Sequence, residues 1–496
     1  MTVPSSVIIV GSGVFGLSTA FAMSRDDRFA NSKITLVDRW NFEPDSSSKS
    51  VQNPGAANAD TSRVIRRDYP HGPYASLARE AMKHWRADFG KEGRYVNQRL
   101  IFSGEGSSLL LPKRQGDTVN YIKTAYGVSC EMTEGGKDAL KVLDSLNEIR
   151  VELGSHTTLP DTLLPEEKKT VNTLRGYISE DCGWANAGAS IEWLRQEVIR
   201  LGRVQFHVGH VDKLNASDDG QRILGVQLED GSTLEAELTI VAAGSQTAHI
   251  LGIPKFCDVY SEVAAYIQLS QAECDELRRR NWPLIVNAHR GVFSVGPDHD
   301  NCIKLGHFSY SGMADVLKDA QIKVKTRVDA SGRTPEQIWT EDPKYGFGGD
   351  VTISQLGDVV DYESHRMLKT LADFRLFLLE LLGPSGLEGV NTLDHSQCDV
   401  LLNNIANRPF TRVRKCWYND TPTLDFIVDY HPSYDKSLFI ATGGCDHAFK
   451  FLPIIGEKVT ALALHHRGVK SDALTEATPS LGDLVELWKF PAELIQ

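Results

Sequence analysis

Short apolar runs that stop at glycines, and longer stretches in which apolar residues return every three or four positions, divide this chain into elements. Residues 7–10, Val-Ile-Ile-Val, are continuously apolar and end at Gly11. A strand without a polar side is buried on both faces, the condition of a parallel sheet. A helical pattern follows over residues 14–23, and residues 33–37 form a second apolar run that closes on Asp38. Strand, helix, strand in about thirty residues is a βαβ unit. Segment 41–60 is polar and aperiodic, with Asp45-Ser46-Ser47-Ser48-Lys49-Ser50 and Asn53-Pro54-Gly55. It reads as a loop, and loops of that length inside compact domains are commonly functional. Helical spacing returns over residues 74–90, whereas residues 100–180 mix both periods. Gly183-Trp184-Ala185-Asn186-Ala187 leads into an amphipathic helix over residues 189–200. Strands are expected at residues 204–211, 223–228 and 234–242, the last two joined by Asp230-Gly231, a hairpin signal. Residues 258–310 are strand-rich, 318–349 polar and loop-rich, and 364–382 helical up to Gly383-Pro384. The closing block, 411–467, holds several short motifs and a last helix.

At 496 residues the chain exceeds a single hydrophobic core, so two domains are expected. Its 53 basic against 65 acidic residues give a net charge of −12, which argues against nucleic acid as a partner, because phosphate binding needs a basic surface. The eight cysteines include no C-x-x-C pair, so zinc spacing is absent and no metal is expected. Scattered thiols in a long chain point to a reducing compartment. No secretory signal precedes the first strand, and the final Glu-Leu-Ile-Gln is not of the S-K-L type. No apolar run approaches the ~20 residues of a membrane span. The expectation is a cytoplasmic protein with no membrane partner.

Gly11-Ser12-Gly13-Val14-Phe15-Gly16 matches G-x-G-x-x-G between a strand and a helix. In that template the first glycine makes the tight turn, the second admits a pyrophosphate to the backbone, and the third lets helix and strand pack closely. The helix start at Val14 and Phe15 then offers unpaired N–H groups to the phosphates. Asp38 lies 22 residues beyond Gly16, where a carboxylate accepts from ribose hydroxyls. The glycine motif alone is weak; with strand, helix and acid in place it is strong. It does not separate FAD from NAD. The strand ending in Val241-Ala242-Ala243-Gly244-Ser245 favours FAD, since small residues there let backbone pass close to a dinucleotide, although a tightly packed strand end looks the same.

Several motifs resemble the monomeric sarcosine oxidase, fructosyl amino acid oxidase and saccharopine oxidase family. They are Asp60-Thr61-Ser62-Arg63-Val64-Ile65-Arg66; Cys302-Ile303-Lys304-Leu305-Gly306; Lys415-Cys416-Trp417-Tyr418 with Asp420-Thr421-Pro422 and Asp425-Phe426-Ile427-Val428; and Gly443-Gly444-Cys445-Asp446-His447-Ala448-Phe449-Lys450. They span nearly the whole chain in family order, and fungal saccharopine and fructosyl-peptide oxidases are nearest in length. The resemblance implies a mixed α/β and α+β fold. A Rossmann-like FAD domain (residues 1–60, 181–250 and 405–496) is interleaved with an antiparallel-sheet substrate domain (61–180 and 251–404). It implies FAD held covalently through Cys416, beside Arg414 and Lys415, although most free cysteines are inert apolar thiols. Lys304 matches the lysine that activates oxygen, where a fixed cation stabilises developing negative charge; strand spacing alone does not decide its role. Arg66 and Lys450 match the clamp on the substrate carboxylate, with arginine supplying a planar fork. Arg63 matches a basic residue beside the flavin, and Tyr418 and His447 match positions that shape the pocket. The expected cofactor contacts are completed by Arg39, Ser62, Val211 and Gly443.

The departures bear on the substrate. Segment 60–63 is one residue longer than the sarcosine oxidase form, and Phe308 stands where that enzyme has a histidine, with His307 one position earlier. Asp60 is placed to meet a substrate ammonium or phenol, or equally to cap a turn. The resulting expectation is a monomeric FAD-dependent oxidase of an N-alkylated amino acid or amine, with that amine and O₂ as partners. An amine dehydrogenase with another acceptor, or a non-catalytic dinucleotide-binding protein, are the alternatives.

Overall fold

The first strand turns Val7 and Ile9 to one side and Ile8 and Val10 to the other, and both sides are buried. The computed structural model describes residues 2–42, 53, 55–104, 110–111, 119–133, 140–154, 176–253, 256–288, 291–308, 350–351, 362–383, 399–469 and 479–494. The 318–349 segment and most of the polar loop before Asn53 lie outside the described residues.

Ser6–Val10 sits near the middle of a six-stranded sheet ordered Val204–Val208, Lys33–Asp38, Ser6–Val10, Leu238–Val241, Leu438–Thr442, Ile427–Tyr430. Every pairing is parallel except the last. Val7 and Ile9 join the helical side of the core, where Val14–Arg25 packs against Ala187–Leu201 and Ile455–His466. Gly456 allows the closest crossing: a Cβ there would lie 1.9 Å from the Ser18 carbonyl oxygen. Ile8 and Val10 face an antiparallel layer of Val211–Ala216, Ile223–Leu228 and Thr233–Glu235.

Two expected strands are each divided. The run 204–211 breaks at Gly209, whose N–H donates to the Asp38 carbonyl at 2.9 Å; Val204–Val208 belongs to the parallel sheet and Val211–Ala216 to the antiparallel layer. The run 234–242 breaks at Ala236 and Glu237, leaving Thr233–Glu235 in the hairpin and Leu238–Val241 beside the first strand. Both segments remain extended while changing partner sheet, and alternation along the chain does not report a change of partner.

A nine-stranded sheet runs Asp350–Val351, Arg412–Asp420, Asp258–Gln268, Cys302–His307, Val292–Val295, Leu284–Asn287, Leu100–Ser103, Gly176–Ser179, Lys141–Leu143. Only the pairing of Leu284–Asn287 with Leu100–Ser103 is parallel. One face, with Val263, Ile267, Ile303, Leu305 and Val413, packs under the helices Tyr362–Leu382 and Val400–Asn407. Cross-strand partners share a face. Glu262 lies opposite Cys416, Tyr266 opposite both Lys304 and Arg412, and Val295 opposite Lys304, so these groups occupy the other face. The strand Arg412–Asp420 therefore belongs to this sheet, while Ile427–Tyr430 and Leu438–Thr442, which follow it, belong to the six-stranded one. A small sheet of Arg63–Ile65, Gly183–Ala185 and Tyr95–Asn97 lies apart from both.

Candidate active site

A cavity of about 310 Å³ runs from the glycine loop to the site face of the nine-stranded sheet. Gly11, Gly13, Val14, Phe15, Asp38, Arg39, Val211, Ala243 and Gly244 line one end; Arg63, Arg66, Cys416, Tyr418, His447 and Lys450 line the other. The residues at the first end fit a dinucleotide. Gly11 holds φ +96°, its N–H donates to the Val37 carbonyl at 2.7 Å, and a Cβ there would lie 2.6 Å from the Ala242 carbonyl oxygen. A Cβ on Gly13 would meet nothing within 4 Å, so backbone is open to the cavity where a pyrophosphate approaches. Gly13 caps the helix Val14–Arg25 without a side-chain hydrogen bond, which leaves first-turn N–H groups for phosphate. Asp38 Oδ2 accepts from Ser12 N at 2.8 Å and Ser12 Oγ at 2.6 Å, and Oδ1 accepts from Trp40 N at 2.9 Å, which fixes the carboxylate at the cavity wall.

Five expected site residues are absent from the cavity wall. Gly16 packs: its Cβ would fall 1.8 Å from the Gly11 carbonyl oxygen. Gly443 holds φ +72°, and a Cβ would strike Thr421 Cγ2 at 2.5 Å. Ser62 is fully buried, and its Oγ has no hydrogen-bond partner among the described residues. Asp60 and Lys304 form a buried ion pair behind the wall, Nζ to Oδ2 at 2.5 Å, with the ammonium also donating to the Ser62 carbonyl at 2.8 Å. Asp60 therefore neither caps an isolated turn nor reaches the cavity. It also accepts from Arg63 Nη1 at 2.7 Å, Tyr266 Oη at 2.6 Å and Thr61 N at 2.7 Å. Burial pushes its carboxyl up, but the charges of Lys304 and Arg63 outweigh that and hold it well below the usual range. Burial lowers the Lys304 ammonium and Asp60 partly restores it. Lys304 Nζ stands 5.5 Å from the ring centroid of Phe293, which itself lines the cavity.

Arg63 bridges this buried group to the cavity. Its Nη2 lies 3.9 Å from Cys416 Sγ and donates to the Ala57 carbonyl. Arg63, from a distant segment, thus brings a cation to Cys416. Arg414, two residues away on the same strand, reaches the Ala56 carbonyl at 3.4 Å. The side chain of Lys415 lies outside the described residues.

At the far end, Arg66 is packed among the rings of Tyr69, Phe102 and Tyr121, and its Nη2 donates to Tyr121 Oη at 2.8 Å. Lys450 Nζ donates to Tyr69 Oη at 2.7 Å and to the His447 carbonyl at 2.9 Å. Burial drives the Lys450 ammonium well down, and Arg66 adds to that. His447 reaches the cavity, but its ring is engaged: Nδ1 is 3.1 Å from Tyr69 Oη, Nε2 is 3.4 Å from the Leu424 carbonyl, and the ring stacks on Phe426 at 4.8 Å. With Lys450 donating to Tyr69, the phenol donates to Nδ1 and the imidazole is neutral. Burial pushes its pKa well below the ordinary value, and Lys450 pushes the same way. Burial likewise raises the phenol of Tyr418. Val64, Val286, Phe293 and Phe308 add apolar surface to the cavity wall, and Phe293 has room because a Cβ on Gly306 would lie 2.2 Å from its ring.

Sequence reading passed over Tyr69, Tyr121, Tyr266 and Asp446. The tyrosines belong to no motif and carry no local signal. Asp446 stands inside a motif but was read only as part of it; its side chain lines the cavity.

A family model described as FAD dependent oxidoreductase matches residues 6–332. The chain belongs to that family. The family's flavin requirement agrees with the glycine loop and open cradle described above. The chain is 66% identical over 497 residues to "Amino acid oxidase fsqB" of Aspergillus fumigatus, covering 100% of both chains. It is 47% identical over 502 residues to "Amino acid oxidase imqH" of Aspergillus flavus, covering 99% of this chain and 98% of that one. Among solved structures, fructosamine oxidase (Amadoriase II) of Aspergillus fumigatus superposes with a TM-score of 0.64 at 20% identity, covering 99% of this chain and 90% of that chain, which shows a shared fold. The mixed α/β architecture expected from the sequence is the one observed. Among the described residues no helix is long and apolar enough to cross a membrane, and no His, Cys, Asp and Glu cluster is arranged to hold a metal.

Proposed function

We propose that the protein is an FAD-dependent oxidase of an N-alkylated amino acid or amine, converting its C–N bond to an imine while O₂ becomes H₂O₂. The observation that carries this reading is the convergence of Arg66 and Lys450 at one end of a cavity whose other end is the dinucleotide loop. Full-length similarity to proteins named amino acid oxidases supports it. Bound FAD would supply the chemistry, accepting a hydride equivalent from the carbon next to nitrogen and delivering the electrons to oxygen.

The chain's own residues position and charge the site. Arg66 and Lys450 bind the substrate carboxylate, with Tyr69 and His447 fixing Lys450 in place. Lys304 supplies the cation for oxygen reduction, and Cys416 is the attachment point, with Arg63 supplying the positive charge a thiolate nucleophile needs. The imine is then hydrolysed or trapped by an internal nucleophile. The described cysteines are all free and buried, which fits the reducing cytosol; the enzyme acts as a monomer on small-molecule partners.

Oxygen uptake over a panel of N-methyl amino acids, N-methylated aromatic amines, saccharopine and fructosyl amino acids tests the reading; no uptake with any of them would overturn it. Acid precipitation should leave the flavin on the wild-type protein, whereas Cys416→Ala should release it to the supernatant or fail to attach it. Free flavin from wild type would end the covalent assignment. Arg66→Ala and Lys450→Ala should each raise KM for a carboxylate substrate by the equivalent of about 2–5 kcal/mol, part of it from the charge left unpaired. They should change KM far less for an amine without a carboxylate. Equal turnover of carboxylated and carboxylate-free amines by wild type would show that the two cations do not select the substrate.

A further inference from the structure

The cavity end that holds Arg66 and Lys450 also holds a carboxylate. Asp446 lies on the wall and is exposed there. Among the described residues it makes no hydrogen bond or ion pair. Its backbone is held in an unusual state: Cys445 has φ +43° and Asp446 has φ +56°, in the left-handed region that few side chains adopt. The turn is pinned by Asn419, with Cys445 N donating to its carbonyl at 3.3 Å and Gly444 N to its Oδ1 at 3.2 Å. The chain thus spends strain on a conformation that aims one carboxylate at the same space as two cations. Burial raises the Asp446 carboxyl to about 6 against the pull of Lys450, Arg66 and Arg63, with Glu262 pushing upward too.

We propose that Asp446 receives the N–H of the substrate's amine, so that this end of the cavity recognises both charged groups of an α-amino acid at once. The proposal rests on the amine-oxidase reading above and narrows its substrate class. In an α-amino acid the carboxylate and the nitrogen are separated by a single carbon, so the groups that recognise them must be neighbours. Asp446 and Lys450 are neighbours, set either side of the turn that begins Ala448–Phe451. A simple amine would bring no carboxylate to Arg66 and Lys450, and a simple carboxylic acid would meet the repulsion of Asp446. Discrimination against both follows from the charge pattern, not from contact area. The apolar wall of Val64, Val286, Phe293 and Phe308 receives the side chain.

The test uses flavin-loaded protein and two redox-inert probes of matching shape: α-methylleucine, and α,α-dimethylisocaproate, in which a methyl group replaces the amine. Binding is read from the perturbation of the flavin absorbance. Wild type should prefer α-methylleucine. Asp446→Asn and Asp446→Gly both tolerate a positive φ, so either variant carries the test should the other fail to load flavin. Each should weaken α-methylleucine roughly ten- to hundredfold, the range of a hydrogen bond to a charged group. Each should leave the amine-free probe unchanged or slightly tighter. Equal changes for the two probes, or none for either, would overturn the assignment of Asp446 while leaving the clamp intact. Arg66→Ala should weaken both probes together. If Arg66→Ala leaves both probes unaffected while Asp446→Asn still separates them, the carboxylate clamp is wrong and the amine contact stands. Absence of binding by either probe to wild type would overturn both.

Discussion

Lys304→Met should slow reoxidation of the reduced flavin by O₂ roughly 10²–10³-fold, or about 3–4 kcal/mol, the usual loss on removing one preorganised charge stabiliser from a dry site. Anaerobic reduction by substrate should change far less. The structure gives a reason for this asymmetry. Lys304 is fully buried and donates to Asp60 and the Ser62 carbonyl. It is not among the residues that line the cavity, and its Nζ stands 5.5 Å from the ring centroid of Phe293, which is. Its charge still acts across that distance, because the surroundings screen it weakly. Methionine keeps the volume and apolar stem while removing the charge and the two hydrogen bonds it donates. Stopped-flow measurement of the two half-reactions separates the cases. Equal losses in both would make Lys304 a structural residue.

Asp60→Asn should lower stability by about 3–5 kcal/mol, since it leaves Lys304 and Arg63 as buried cations without their shared anion. Asp60 holds both, at 2.5 Å and 2.7 Å. The double variant Asp60→Asn with Lys304→Met should be less destabilised than the sum of the singles, because it removes the pair together. Additive losses would show that the two charges are not coupled. The pH dependence has a fixed sign. Asp60 is held below its ordinary pKa in the fold. Its contribution to stability is therefore fully present above the unfolded value of about 4 and fades as pH falls below it toward the folded value. Asp60→Asn should flatten that part of the acid-unfolding curve. Thermal melts of wild type and variant between neutral and acid pH measure it.

How much of this was legible along the chain differs from one feature to the next. The βαβ unit was readable because its determinants are local: a four-residue apolar run, three glycines at fixed spacing, and an acid at the end of the next strand. The Asp230-Gly231 hairpin was readable for the same reason. Strands 204–211 and 234–242 were misjudged as continuous, because a chain that stays extended while moving between sheets leaves no mark in its alternation. That the strand Arg412–Asp420 pairs with Asp258–Gln268 has no local signal, since partner choice depends on residues far apart in the chain, as the pairing of Glu262 with Cys416 shows.

The sequence by itself determined the dinucleotide loop, the glycines that only a close backbone approach explains, the buried parallel strands and the residue types available for chemistry. Tertiary structure alone decided how those residues act on one another. It set Asp60 against Lys304 across 244 positions of chain, brought Arg63 to Cys416, and tied Lys450 to His447 through Tyr69. It also set Asp446 on the cavity wall, with two successive residues held at positive φ. The physical reason is range. Helix, strand and turn propensities act over a few residues, whereas burial and charge pairing act through space, and only a folded chain decides which distant groups share one dry volume.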